Sequence, residues 1–298
     1  MATVQGLDIS ACQGSNVDFA KIKAAGYKFV ILRVNEWSKV MKANVKDSCF
    51  ESFYKKAKAA GLDVGAYFFT YANTVDYVAK EAALCIEWIK GKQFEYPIYF
   101  DLEREQQFNQ GRYFCDNAVK TFCNALEKAG YFAGVYCSTF WYTKCVSASV
   151  RERYACWIAD WNSQCTYKGT FGMWQNGTAN VSGIVGGVDH DYCYIDYPSI
   201  IKSKGLNGFK KATTAPTVKV LDSGSCYNKG ETTVGALAVK EMLRLAYNKK
   251  LHSVNVTESK VYDDSAINAV KALQKAWGYK ETGGAGENFV KMLYSKIK

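Results

Sequence analysis

The chain of 298 residues is 48% hydrophobic, 22% charged and 15% aromatic, with only 3 prolines, a composition that excludes disordered, collagenous and low-complexity classes. Its formal charge of +10, from 38 Lys and Arg against 28 Asp and Glu, favours polyanionic partners such as nucleic acid, anionic lipid or wall polymers without naming one. No stretch approaches the roughly 18 consecutive apolar residues of a membrane span, and MATVQGLDIS has neither the basic nor the apolar region of a secretory signal, so a chain without an export signal is expected.

In chain order, the first two thirds repeat one unit: KIKAAGYKFVILRV (Lys21 to Val34), KAKAAGLDVGAYFF (Lys56 to Phe69), EWIKGKQFEYPIYFDLE (Glu87 to Glu103) and LEKAGYFAGVYC (Leu126 to Cys137). Each opens with a helical segment, closes it on Gly26, Gly61, Gly91 or Gly130, and continues into a β-branched and aromatic run. Helix, C-cap glycine and buried strand in succession predict a parallel sheet covered by helices. Strands at LDIS, KFVILRV, VGAYFF, PIYFDLE, FAGVYC, CWIADW, GMWQN and VDHDYC make eight, the number of a closed (β/α) barrel. Only ten residues lie between Trp161 and Gly172, too few for a full helix, so the barrel should be irregular on that side.

At Lys202 to Val220 the sequence KSKGLNGFKKATTAPTVKV loses periodicity and reads as a linker. The expected organisation is a barrel domain over 1–205, a linker over 206–222 and a small three-helix domain over 223–298. The tail's helices fall near Val234 to Lys249, Ser265 to Tyr279 and Asn288 to Ile297. In the second, Ala266, Val270, Leu273 and Trp277 form one stripe, with Asp264 as N-cap and Gly278 as C-cap. Residues from Thr213 onward carry +5 of the net charge, at higher density than the larger domain.

Eleven cysteines, an odd number with no C-x-x-C, argue against a disulfide scaffold or a zinc site, and Cys85, Cys123, Cys137 and Cys156 read as reduced core thiols. His190 and His252 are the only histidines, which leaves little material for a His-based triad. No metal and no cofactor are expected.

The segment YPIYFDLER is the most informative. As a strand it sends Asp101 and Glu103 to one face with Cα atoms about 6 to 7 Å apart, at the strand end where such barrels keep their active sites. Asp8 ends the first strand, and Asp189 and Asp191 lie in the last. Carboxyls crowded at one rim raise one another's pKa and keep a general acid protonated near neutrality. Tyr67, Phe69, Tyr136, Trp141, Trp157, Trp161 and Trp174 sit at similar positions. Aromatic faces beside carboxylates suit a sugar, although about half of this set should be packing, Trp157 and Phe69 foremost.

LDISACQG, VDFAKIKAAGYKFVILRV, GLDVGAYFF, YFDLE, GVYCSTFWY, CWIADW, MWQNG and GIVGGVDHDY resemble, in order and spacing over roughly residues 4 to 200, the motifs of the glycoside hydrolase family 25 muramidases, the Chalaropsis-type lysozymes. The resemblance implies an irregular, flattened (β/α) barrel akin to a TIM barrel. It also implies retaining hydrolysis of the β-1,4 bond from N-acetylmuramic acid to N-acetylglucosamine in peptidoglycan. Its D-x-E pair falls on Asp101 and Glu103, and its first- and last-strand aspartates on Asp8 and Asp189. Glu103 would then be general acid and base, and Asp101 would orient the substrate's 2-acetamido group or act as a nucleophile itself. Tyr67, Phe69, Tyr136, Trp161, Trp174, Gln175 and Asp191 would contact substrate. Phe68 stands where many relatives carry His.

The tail, with INAVKALQKAWGY followed by TGGAGENFVKML, resembles three-helix peptidoglycan-binding modules, with VYDD in place of their glycine-containing loop. Peptidoglycan and anionic wall polymers are the partners this implies, with no nucleic acid, and an endolysin held in the host bacterial cytoplasm until lysis is the expected setting. The competing reading from the residues is a non-catalytic glycan-binding barrel.

Overall fold

Strands whose alternate residues are buried on both faces must close on themselves or be covered, and here both happen. The computed structural model describes residues 3–210 and 225–298, divided between two units, Met1–Ala212 and Thr213–Lys298.

In the first unit, β1 (Val4–Ile9), β2 (Phe29–Arg33), β3 (Asp63–Phe69), β4 (Ile98–Asp101), β5 (Ala133–Ser138), β6 (Ala155–Ala159), β7 (Met173–Asn180) and β8 (Gly187–Cys193) form a closed barrel in sequential order. Neighbours from β1 to β7 pair in parallel. The eight strands are those expected from the sequence, with one correction to the parallel sheet: β8 runs antiparallel to both β7 and β1. A parallel return needs a crossover of about a dozen residues or more, and the six residues between β7 and β8 permit only a hairpin.

Outward-facing Val30, Leu32, Val64, Phe68, Ile98, Phe100, Val135 and Ile158 are fully buried in the layer between barrel and helices. The main covering helices are Phe50–Ala59, Val75–Ile89 and Gly111–Lys128. Cys85, Cys123, Cys137 and Cys156 are buried in this layer, and all eleven cysteines are free thiols. Phe68 packs between Trp88 and Phe122, at 6.2 and 5.7 Å between ring centroids, so its position faces away from the barrel interior and offers no polar group there.

The inward set, including Phe29, Ile31, Tyr99, Trp157, Met173 and Cys193, forms a separate core that Tyr197 and Ile201 of the helix Tyr197–Lys204 join. Glycines make room for its rings. A Cβ on Gly134 would stand 2.5 Å from the Tyr99 ring, and one on Gly6 would stand 2.2 Å from Phe29.

Two features were not legible from pattern. A short hairpin pairs Asn35–Ser38 with Ala43–Lys46 directly after β2; four-residue strands are too short to display a period. Asn207, which composition assigned to the linker, is fully buried, its Nδ2 donating to the carbonyls of Phe94 and Tyr96 and its Oδ1 accepting from Phe132 N. Residues 211–222 of the expected linker lie outside the described residues.

The second unit holds helices Val234–Asn248, Asp264–Ala276 and Glu287–Ile297 and a two-residue pairing of Cys226–Tyr227 with Ala285–Gly286. Ala266, Val270 and Leu273 are buried as the stripe predicted, with Trp277 packed at its edge. The N-cap of the middle helix is Asp263 rather than Asp264: its carboxylate accepts from Ser265 N and Ala266 N. Asp263 also receives the buried ammonium of Lys240 at 2.8 Å, one of five bonds by which that ammonium ties down the segment from Thr257 to Asp263.

Candidate active site

Strand alternation combined with the register aims a fixed set of side chains at the C-terminal mouth of the parallel strands. Phe69, Asp101, Tyr136 and Trp157 are paired in turn across β3, β4, β5 and β6, so they share one level and one face. Asp8 is paired with Asp189 on the other side. Together with Arg33, Tyr67, Gln175, Glu103 and the turn residues Ser10, Cys12 and Gln13, they line a cavity of about 210 Å³.

The strand predicted through Glu103 ends at Asp101, yet its alternation persists. Leu102 N still bonds Tyr136 O and its side chain is buried outward, which returns Glu103 to the cavity beside Asp101. Asp101 is 3% exposed and its Oδ1 has no hydrogen-bond partner among the described residues, an arrangement that costs free energy until a donor arrives. Glu103 is the exposed member of the pair.

Burial is the first cause of raised proton affinity throughout the cluster. It pushes Asp8 up to about 8, helped by the charge of Asp189 and opposed by the hydrogen bond from Gln175. Burial, then Glu103, raises Asp101, with the Arg33 guanidinium pulling the other way. Glu103, exposed at the cavity mouth, is raised by partial desolvation of its carboxyl against the same guanidinium, and Asp189 is raised by burial. A raised proton affinity is what a general acid working near neutral pH requires.

Gln175 links the cluster to its aromatic wall. Its Oε1 accepts from Tyr136 Oη at 3.0 Å and from Trp161 Nε1 at 2.9 Å, which leaves Nε2 to donate to Asp8 Oδ2 at 2.9 Å. Trp161 is 61% exposed and outside the cavity lining, which it adjoins through this bond.

Besides Trp161, two of the residues expected to touch substrate do not line the cavity. Trp174 has the opposite parity to Gln175, so it faces outward, stacks on Tyr192 and donates its indole N–H to Asp160 O. Asp191 is fully buried below the cavity, where Oδ1 accepts the Trp157 indole N–H at 2.7 Å. Burial, then the charge of Asp8, raises its proton affinity well above that of an ordinary carboxyl, and its Oδ2 has no hydrogen-bond partner among the described residues. Trp157 and Phe69, placed with the packing residues, both line the cavity.

Arg33 was missed. It ends a strand of apolar residues on the same face as Phe29 and Ile31, and a lone charge inside such a strand was the available signal. Its Nε donates to Asn35 O and its Nη2 to Tyr71 Oη, and the guanidinium lies 4.7 Å from the Phe69 ring centroid. Among the described residues no group of three or more His, Cys, Asp or Glu side chains has the arrangement of a metal site.

An eight-stranded barrel that gathers carboxyls of raised proton affinity and aromatic rings at this rim places them where barrels of this kind keep their sites. The sequence model of glycosyl hydrolases family 25 matches residues 7–184. The autolytic lysozyme of Clostridium acetobutylicum is 28% identical over 195 residues, covering 63% of this chain and 55% of that protein. Lysozyme M1 of Streptomyces globisporus is 27% identical over 203 residues, covering 63% of this chain and 65% of that protein. The chain thus spans between about half and two thirds of the length of these curated relatives. Among solved structures, the CTP1L endolysin superposes with a TM-score of 0.57 at 26% identity, covering 68% of this chain and 70% of that one. The chain belongs to glycosyl hydrolases family 25.

Proposed function

We propose that the protein is an N-acetylmuramidase that hydrolyses the β-1,4 bond between N-acetylmuramic acid and N-acetylglucosamine in bacterial peptidoglycan, with retention at the anomeric carbon. The observation that carries this reading is the convergence of Asp8, Asp101, Glu103 and Asp189 on one cavity, with a buried, unpartnered oxygen on Asp101.

Glu103, the exposed member, gives its proton to the leaving oxygen as the glycosidic C–O bond breaks. The acetamido carbonyl oxygen of the substrate attacks the anomeric carbon and closes an oxazolinium ring, while Asp101 Oδ1 accepts the acetamido N–H. Water then gives a proton to the Glu103 carboxylate and opens the ring from the opposite face, a substrate-assisted variant of the two-carboxylate scheme. Asp8 and Asp189 bind sugar hydroxyls and set the protonation of the pair, and Tyr67, Tyr136 and Phe69 offer ring faces to the sugar.

An endolysin role, with accumulation in a host bacterial cytoplasm before lysis, is supported by the likeness to the CTP1L endolysin. The tail, which carries +5 of the net charge, would hold the enzyme on anionic wall and raise the local substrate concentration.

Purified Gram-positive walls should lose turbidity with the wild-type protein and not with Glu103→Gln. Reducing-end analysis should find muramic acid; glucosamine at that end would overturn the assignment. A covalent glycosyl adduct on Asp101 would overturn the substrate-assisted route.

A further inference from the structure

The unpredicted hairpin extends the cavity wall. Phe69 lines the cavity, its ring lies 4.8 Å from that of Tyr71, and Tyr71 lies 5.2 Å from Trp37 on the hairpin, which is 36% exposed. Each step is close to the length of one pyranose unit. Two guanidiniums flank the track. Arg33 lies over Phe69 and bonds Tyr71 Oη, while Arg104 lies 5.5 Å from the Tyr71 ring centroid and donates Nη1 to Tyr71 O. Neither forms an ion pair with a carboxylate among the described residues, and Arg33 Nη1 and Arg104 Nη2 have no hydrogen-bond partner there.

We propose that Phe69, Tyr71 and Trp37 form an extended glycan track leading from the cavity onto the hairpin, and that Arg33 and Arg104 recognise carboxylates on the strand that occupies it. The occupant is the continuation of the chain being cleaved, because the track begins on a cavity residue and has no break before Trp37. Ring faces stack on sugar C–H faces, and guanidiniums with free N–H groups pair with carboxylates in bidentate fashion. The track therefore selects a long glycan bearing acidic substituents, such as stem peptides, over a neutral N-acetylglucosamine polymer. This inference rests on the muramidase reading above.

The test measures kcat/KM on a peptide-bearing glycan tetrasaccharide and on strands of ten or more sugars. Trp37→Ala should lower the long-to-short ratio about tenfold, the size of a lost aromatic contact, and Trp37→Phe should restore most of it. Arg104→Gln should raise KM for long peptide-bearing strands severalfold and weaken its salt dependence, while neutral chitin oligomers added as competing inhibitors bind as tightly as before. If the wild-type protein cleaves both substrates and Trp37→Ala leaves their ratio unchanged, the track is wrong and the muramidase reading stands. Equal loss of chitin binding in Arg104→Gln overturns the charge selection. Failure of the wild-type protein on both substrates overturns the reading and the track together.

Discussion

Asp8 couples stability to pH in a direction opposite to that of an ordinary salt-bridged carboxylate. Folding lifts its pKa from 3.8 to about 8, chiefly by burial and then by the charge of Asp189. Between those values the folded protein holds a proton that the unfolded chain has released. Raising the pH therefore removes stability across that window, and the contribution is fully present only below about pH 4. A tenfold change in proton affinity is worth about 1.4 kcal/mol, so this displacement bounds the effect at roughly 6 kcal/mol. The shift is shared among interacting carboxyls rather than belonging to Asp8 alone, which brings the expected difference to about 2 kcal/mol.

Asp8→Asn removes the titration and keeps the shape. The asparagine oxygen can accept from Gln175 Nε2, and its amide can donate to Asp191. Urea unfolding followed by tryptophan fluorescence reports mainly on the barrel, since six of the seven tryptophans precede residue 200. Wild type and Asp8→Asn should agree at pH 4, and at pH 8 the variant should be the more stable by about 2 kcal/mol while clearing walls at least tenfold more slowly. Comparing the two proteins cancels the opposite contribution of His190, whose pKa burial lowers. A variant equal to or less stable than wild type at pH 8 would refute the account of a proton held by burial.

Trp157→Phe leaves Asp191 Oδ1 buried without its indole donor, and denaturant midpoints should show a loss of about 1–3 kcal/mol. Gly134→Ala sets a methyl group 2.5 Å from the Tyr99 ring and 2.9 Å from Ala155 O, so thermal unfolding should report a cost of about 1–3 kcal/mol or an insoluble product. Lys240→Met strands Asp263 and frees the segment from Thr257. Limited proteolysis of the full chain should then cut the second unit first, with a loss of about 3 kcal/mol and no change in barrel fluorescence.

The sequence by itself determined the eight strands and the three tail helices, because a buried strand writes its period of two, and a helix its stripe and cap, into consecutive residues. It also brought Asp8, Asp101 and Glu103 to strand ends, since their positions follow from where each run stops, whereas Asp189 lies near the start of β8 and reaches the same rim because that strand runs antiparallel. Tertiary structure decided everything that depends on which neighbour a face meets. The antiparallel entry of β8 came from a connection too short to cross over. One residue's difference in parity sent Trp174 outward and Gln175 inward, and a single layer of depth separated Asp191 from Asp189. Arg33 and Trp37 stand more than thirty residues before Tyr71 and share no local pattern with it; only the pairing that sets β2 beside β3 makes them one surface.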